Sequence, residues 1–275
     1  MKFTKMHGIG NDYVHINCLT ETVDDPAALS RRLSDRHFGI GGDGIILICP
    51  SETADFRMRI FNADGSEAQM CGNGIRSFGK YVFDRGLTDK TVLTIETLAG
   101  LKTLTLNVEN GTVATVSVDM GAPILKAADI PVLSDTEDFI KKLITSGGET
   151  YTMTCVSMGN PHGVIFVDSV DALDLVQIGP PLENHTIFPE RANIEFVECL
   201  NDETLKMRVW ERGSGETLAC GTGACAALVA AVLNGKAHRH ATLLLRGGAL
   251  DIDWDESTNH VFMTGPAEFV FDGDI

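Results

Sequence analysis

Shifted by 149 positions, this chain falls on itself without a gap where it matters. Gly10-Asn11 lands on Gly159-Asn160, and Met58-Arg59-Ile60-Phe61 on Met207-Arg208-Val209-Trp210. Cys71-Gly72-Asn73-Gly74 lands on Cys220-Gly221-Thr222-Gly223, with Glu67 on Glu216 and Gly86 on Gly235. One Cys-Gly-x-Gly match would be weak evidence, but several blocks at a single offset argue for a duplicated folding unit. A repeat this long, present twice, is no solenoid, which stacks several short units. Two pseudo-symmetric domains are expected, residues 1–120 and 121–264, meeting near Gly121-Ala122-Pro123.

Both copies read as many short β-runs and one principal helix after the Cys-Gly-x-Gly turn, a mixed α+β pattern. The helix expected from Gly223 to Asn234 is apolar on every face, so it must be enclosed, here by sheet. Its counterpart from Gly74 to Arg85 keeps Ile75, Phe78 and Val82 at spacings of three and four, with a more polar outer side.

A chain of 275 residues can bury a substantial core without disulfides or metals. With 22 basic and 38 acidic residues the formal charge is −16, which repels phosphate backbones and anionic lipid. Nucleic acid and membrane partners are not expected. The N-terminus runs straight into strand-like sequence with no signal-peptide pattern, and the longest apolar run, Ala224 to Leu233, is too short to span a bilayer. Seven cysteines, none in Cys-x-x-Cys, argue against a disulfide framework or zinc ribbon, and point to a reducing cytoplasm.

Cys71 and Cys220 each sit between a strand and a helix, where unpaired amides and the positive dipole end collect. That setting favours thiolate, moving a thiol from about 8.5 toward neutral pH. The glycines let a substrate approach the backbone, and the outward amides suit an anion such as an α-carboxylate. Inverting a stereocentre by proton transfer needs one group to remove a proton and another to deliver one on the opposite face. A duplicated unit with a cysteine in each copy supplies such a pair, and converging helix mouths would stabilise charge on the carboxylate. No cofactor is then required, and no metal site is expected. The other five cysteines, Cys18, Cys49, Cys155, Cys199 and Cys225, read as small buried core residues. Gly39-Ile40-Gly41-Gly42-Asp43-Gly44 matches a dinucleotide pattern, but a helix precedes it and a strand follows, the reverse of what that site needs.

These segments resemble the diaminopimelate epimerase family nearly end to end. The likeness runs through Gly8-Ile9-Gly10-Asn11-Asp12 and Phe61-Asn62-Ala63-Asp64-Gly65-Ser66-Glu67 into the first cysteine turn. It continues through Met158-Gly159-Asn160-Pro161-His162, Phe188-Pro189-Glu190-Arg191-Ala192-Asn193 and Trp210-Glu211-Arg212-Gly213-Ser214-Gly215-Glu216-Thr217 into the second. The resemblance implies two similar domains, each a curled, barrel-like sheet around a central helix. The last strand, in residues 265–275, would return to the first domain, and the active site would lie in the interdomain cleft.

It further implies Cys71 and Cys220 as the two bases, converting LL- to meso-diaminopimelate for lysine and peptidoglycan precursors without a cofactor. Gly72, Asn73, Gly221 and Thr222 would hold the reacting carboxylate. Asn11, Asn62, Asn160, Asn193, Glu211 and Arg212 would bind the rest of the substrate, while His162 and Glu211 tune the thiols. Arg212 can grip the distal carboxylate with two hydrogen bonds beside the anion of Glu211. A homodimer follows from the family and from general frequency. Many relatives carry glutamine where this chain has Gly44, the repeat mate of Asn193, so no side-chain contact is assigned there. The residues alone leave open a proline- or hydroxyproline-type racemase, a cysteine hydrolase built on Cys220 and His162, and a non-catalytic amino-acid-binding protein.

Overall fold

A computed structural model describes all residues 1–275, and divides them into two compact units, Met1–Asp119 with Thr264–Ile275, and Met120–Met263. In chain order the first stretch holds β1 (Lys2–Gly8), β2 (Asn11–Asn17), α1 (Pro26–Ser34), β3 (Gly44–Cys49), β4 (Phe56–Asn62), β5 (Glu67–Ala68), α2 (Gly72–Asp84), β6 (Val92–Thr97), β7 (Gly100–Glu109) and β8 (Thr112–Asp119). Then come β9 (Lys142–Ser146), β10 (Glu149–Ser157), β11 (Pro161–Phe166), α3 (Leu175–Glu183), β12 (Asn193–Asn201), β13 (Thr204–Glu211), β14 (Gly215–Glu216), α4 (Gly221–Leu233), β15 (His240–Leu245), β16 (Gly248–Trp254) and β17 (Val261–Gly265). The chain ends with β18 (Glu268–Asp274).

In the first unit β1 pairs antiparallel with both β2 and β18, so the C-terminal strand completes the N-terminal sheet. The β2–β3 pairing is parallel, β3–β4 antiparallel, and β4–β6 parallel again. The second unit repeats this grammar: β10 pairs antiparallel with β9 and β11, β11 runs parallel to β12, β12 antiparallel to β13, and β13 parallel to β15. The register repeats too. Tyr13 faces Gly44 in the first parallel pair, and His162 faces Asn193, their repeat mates, in the second. This is an α+β fold with mixed curled sheets.

Strand β3 is buried along almost its whole length because it has a helix on each side. Ile45 and Leu47 join a core with Leu29 and Leu33 of α1, whereas Ile46 reaches the first turn of α2. A strand covered on both faces reads as a continuous apolar run, as Gly44-Ile45-Ile46-Leu47-Ile48-Cys49 does. The second unit packs Leu175 and Leu182 of α3 with Ile194 and Phe196 of β12 in the same way.

Helix α1 starts where Asp25 accepts the Ala28 amide at 2.9 Å and Pro26 takes the first turn. Helices α2 and α4 end on Gly86 and Gly235, both at φ 69°, a left-handed conformation that suits glycine. The amides of Leu87 and Lys236 close back onto the carbonyls of Val82 and Ala231, each at 2.9 Å.

Two expectations change here. Both principal helices begin two residues earlier than the sequence suggests, because the cysteine itself caps them. And α2 has no polar outer side: every residue from Gly72 to Val82 is buried. Its cations are satisfied internally, Lys80 by Asp84 at 2.9 Å and Arg76 by the carbonyls of Gly72 and Pro266. Apolar pattern measures hydropathy, and a buried lysine with its own carboxylate one turn away escapes that measure. No helix is long and apolar enough to cross a membrane.

Candidate active site

Each unit builds one half-site around the cysteine at its principal helix mouth, and the two are described separately. In the first, Cys71 is the N-cap of α2, its sulfur accepting the Gly74 amide at 3.3 Å. Ile75 donates its amide to the Cys71 carbonyl at 2.9 Å. Residues 72 and 73 therefore lie ahead of the first intrahelical bond, the position from which amides face an incoming anion.

Two neighbouring strand residues address the Cys71 sulfur. Tyr13 donates its hydroxyl at 3.6 Å, and the thiol donates to Asn11 Oδ1 at 3.2 Å. Burial first, and then the neighbouring Cys71, raise the Tyr13 phenol well above its ordinary range, so it stays a donor. Asn11 is oriented by its amide nitrogen, which donates to Asp43 Oδ2 at 2.6 Å. Asp43 is tied to Asp12 and Arg36, and Lys5 completes the network with Asp12 and the Gly41 carbonyl. The glycine-rich loop thus orients Asn11 against Cys71. Asn62 ends β4, its side chain donating to Ser66 Oγ at 3.0 Å.

Gly44 has no room for a side chain, because a Cβ there would stand 2.1 Å from the Phe61 carbonyl oxygen. No side-chain contact to substrate can come from position 44 in this backbone arrangement.

In the second unit Cys220 caps α4 in the same way, accepting the Gly223 amide at 3.4 Å, while Ala224 donates to its carbonyl at 2.9 Å. Thr222 Oγ1 lies 3.5 Å from the sulfur, and Gly221 and Thr222 again precede the first intrahelical bond. The expectation that a helix mouth lowers the thiol fails here. Burial, then Glu211, then Glu195 raise Cys220 well above its ordinary value, and the Thr222 hydroxyl and Gly223 amide only partly oppose them. Desolvation and two nearby carboxylates outweigh the partial charge of a helix end.

Glu211 ends β13 and accepts a short hydrogen bond from Thr217. Burial raises its carboxyl above the usual range, with Glu195 adding to the shift and Thr217, His162 and Cys220 opposing it. His162 is fully buried on β11, with Nδ1 2.7 Å from Glu195 Oε1 and Nε2 3.0 Å from Asn160 Oδ1.

Asn193 is committed to the backbone. It donates to the Pro161 carbonyl at 3.3 Å and accepts the Arg212 amide at 2.8 Å, pinning the turn after β13. The same turn is held by Glu183, the last residue of α3, which accepts from Trp210 Nε1 at 2.8 Å and the Gly213 amide at 3.0 Å. Arg212 and Glu211 do not pair, and the Arg212 guanidinium reaches the Glu190 carbonyl at 2.8 Å. The adjacent anion and cation therefore point to different partners.

Four residues of these half-sites escape the sequence reading: Tyr13, Asp43, Glu183 and Glu195. Tyr13 had a signal, as the repeat mate of His162. Asp43 lay inside the loop set aside as a false dinucleotide pattern, and Glu183 in a helix not foreseen. Of the five cysteines read as core, only Cys155 and Cys225 are fully buried; Cys18, Cys49 and Cys199 are half-buried. A hydrogen bond from Cys18, and then the nearby Arg59 and Arg57, pull the Cys49 thiol below its ordinary value.

The fold, a helix inside a curled sheet built twice in one chain, is shared by a class of solved structures. A phenazine biosynthesis protein of the PhzF family from Bacillus anthracis matches with a TM-score of 0.72 at 18% identity, covering 100% of this chain and 98% of that one. A hydroxyproline epimerase from Agrobacterium vitis matches with a TM-score of 0.69 at 13% identity, covering 100% and 90%. At such identities the likeness defines the fold.

The family model for diaminopimelate epimerase matches residues 3–126 and 154–270. The diaminopimelate epimerase of Acetivibrio thermocellus is 60% identical over 100% of this chain and 98% of its own length, and that of Methanococcus maripaludis strain C6 is 57% identical over 100% and 99%. The chain belongs to the diaminopimelate epimerase family, and it is an isomerase of that class.

Proposed function

We propose that the protein interconverts LL- and meso-diaminopimelate by two-base proton transfer, with Cys71 and Cys220 as the bases. The observation that carries this reading is the matched pair of half-sites, each presenting a cysteine sulfur at the N-cap of a helix. In either direction one sulfur, as thiolate, takes the proton from the α-carbon, and the bond pair moves toward the carboxylate. The other sulfur, as thiol, delivers a proton to the opposite face. The product leaves with the thiol and thiolate exchanged, and proton exchange with solvent restores the starting state.

Amides at residues 72, 73, 221 and 222 hold the reacting carboxylate, where negative charge grows in the transition state. Asn11 and Asn160 orient the α-substituents, Asn62 and Asn193 shape the walls, and Glu211 accepts from an ammonium. Arg212 exchanges the Glu190 carbonyl for the distal carboxylate of the substrate, a bidentate fit that a cyclic imino acid does not offer. His162 and Glu211 tune the Cys220 thiol. The two units act as two epimerase domains, the second a repeat of the first, in a cytoplasmic homodimer that needs neither nucleic acid nor membrane.

Substrate profiling tests this reading. Purified protein is expected to invert one centre of LL-diaminopimelate and to incorporate deuterium at the α-carbon in heavy water. It should leave proline and 4-hydroxyproline unchanged, and inversion of those two in place of diaminopimelate would overturn the substrate assignment.

A further inference from the structure

Glu195 is fully buried near the start of β12, where its repeat mate Ile46 is an ordinary core residue of β3. Its Oε1 lies 2.7 Å from His162 Nδ1, and its Oε2 has no hydrogen-bond partner. A dry carboxylate with so little company is costly unless a positive charge stands against it. The other face of the imidazole meets a second oxygen, Asn160 Oδ1, 3.0 Å from Nε2. A ring that donates on both sides carries two protons.

The same carboxylate borders the cysteine turn. A Cβ placed on Gly223 would stand 2.6 Å from Glu195 Oε1 and 3.2 Å from the Cys220 sulfur, so both atoms flank one point at the mouth of α4. In the first unit the equivalent point, above Gly74, has the Ile46 methyl at 2.8 Å instead. The two cysteine turns are alike in backbone and unlike in charge.

We propose that Glu195 is a positioning residue of the Cys220 half-site, the counter-ion that holds His162 as a doubly protonated imidazolium beside the Glu211 and Cys220 pair. This rests on the reading of Cys220 as a base, and adds what sets the charge around it. The titratable groups facing Glu195 are Cys155 of β10, His162 of β11, Glu211 of β13 and Cys220 at the mouth of α4. Among them only His162 can carry a positive charge. An imidazolium there favours Glu211 as carboxylate, able to accept from the Cys220 thiol; a neutral ring gives up that support.

The test is ring-nitrogen NMR on the substrate-free full-length protein, wild type and Glu195→Gln, together with the kcat and KM of both. Wild-type His162 is expected to show protons on both ring nitrogens at neutral pH. Glu195→Gln, which keeps the shape but not the charge, should show one proton, with kcat down by on the order of tenfold, the scale of one charge-assisted hydrogen bond, and KM little changed. Glu195→Ile, copying the first unit, should lose more kcat. A singly protonated His162 in the wild type overturns the proposal without any variant, and so does a Glu195→Gln protein with unchanged ring protons and kcat. Neither result touches the role of Cys220, which fails separately if Cys220→Ala turns over normally.

Discussion

Tyr13 and His162 hold the same position in the two repeats, yet Tyr13 donates to the Cys71 sulfur at 3.6 Å while His162 is turned onto Glu195 at 2.7 Å. The half-sites share a backbone and differ in chemistry: a tyrosine hydroxyl and an asparagine amide reach one sulfur, while two carboxylates and a threonine hydroxyl stand near the other. Such inequality suits a reaction in which one thiol must begin charged and the other neutral. Tyr13→Phe removes a donor that can stabilise a Cys71 thiolate without opening a cavity. Steady-state kinetics should show kcat/KM lower by on the order of tenfold or more, the scale of one hydrogen bond to a charged acceptor, with an unchanged circular dichroism spectrum.

The glycines that close the two cysteine turns respond differently to a methyl group. In Gly223→Ala the added carbon meets Glu195 Oε1 at 2.6 Å and the Cys220 sulfur at 3.2 Å, and the carboxylate is already held by His162. In Gly74→Ala it meets a terminal methyl of Ile46 at 2.8 Å, which a rotamer change can move. Denaturant unfolding should show Gly223→Ala destabilised by about 1–3 kcal/mol, and Gly74→Ala by less.

His15 gives stability a pH dependence remote from catalysis. It is fully buried, 2.9 Å from Ser77 Oγ and stacked on Tyr81, and burial lowers its pKa from 6.5 to about 3. The unfolded chain takes up this proton first as pH falls. The stability held by the neutral ring is therefore complete above about 6.5 and lost progressively toward 3. Urea titrations across that window should show unfolding free energy falling by up to about 1.4 kcal/mol per pH unit from this group. In His15→Gln that component of the slope should be absent.

The repeat made the principal helices and their cysteines legible, because a shared offset separates functional turns from chance matches. Glycine stops after α2 and α4 were equally plain. Helix α3 carries Pro180 and Pro181 inside it, and proline ordinarily breaks a helix interior, so its sequence does not advertise a helix running to Glu183. Glu195 was hidden for a different reason. It sits in an apolar β-run whose repeat mate is isoleucine, so nothing local marks it, and its partner His162 lies on another strand. Buried charge is decided by tertiary neighbours, as is the upward shift of Cys220, where local reasoning saw only a helix end.

The most direct test of the two-base reading is α-proton exchange in heavy water by the wild type, Cys71→Ala and Cys220→Ala, each on LL- and meso-diaminopimelate, with folding verified by circular dichroism. Wild type should invert and deuterate the α-carbon, and each variant should lose inversion in both directions. Normal epimerisation by either variant would contradict the account.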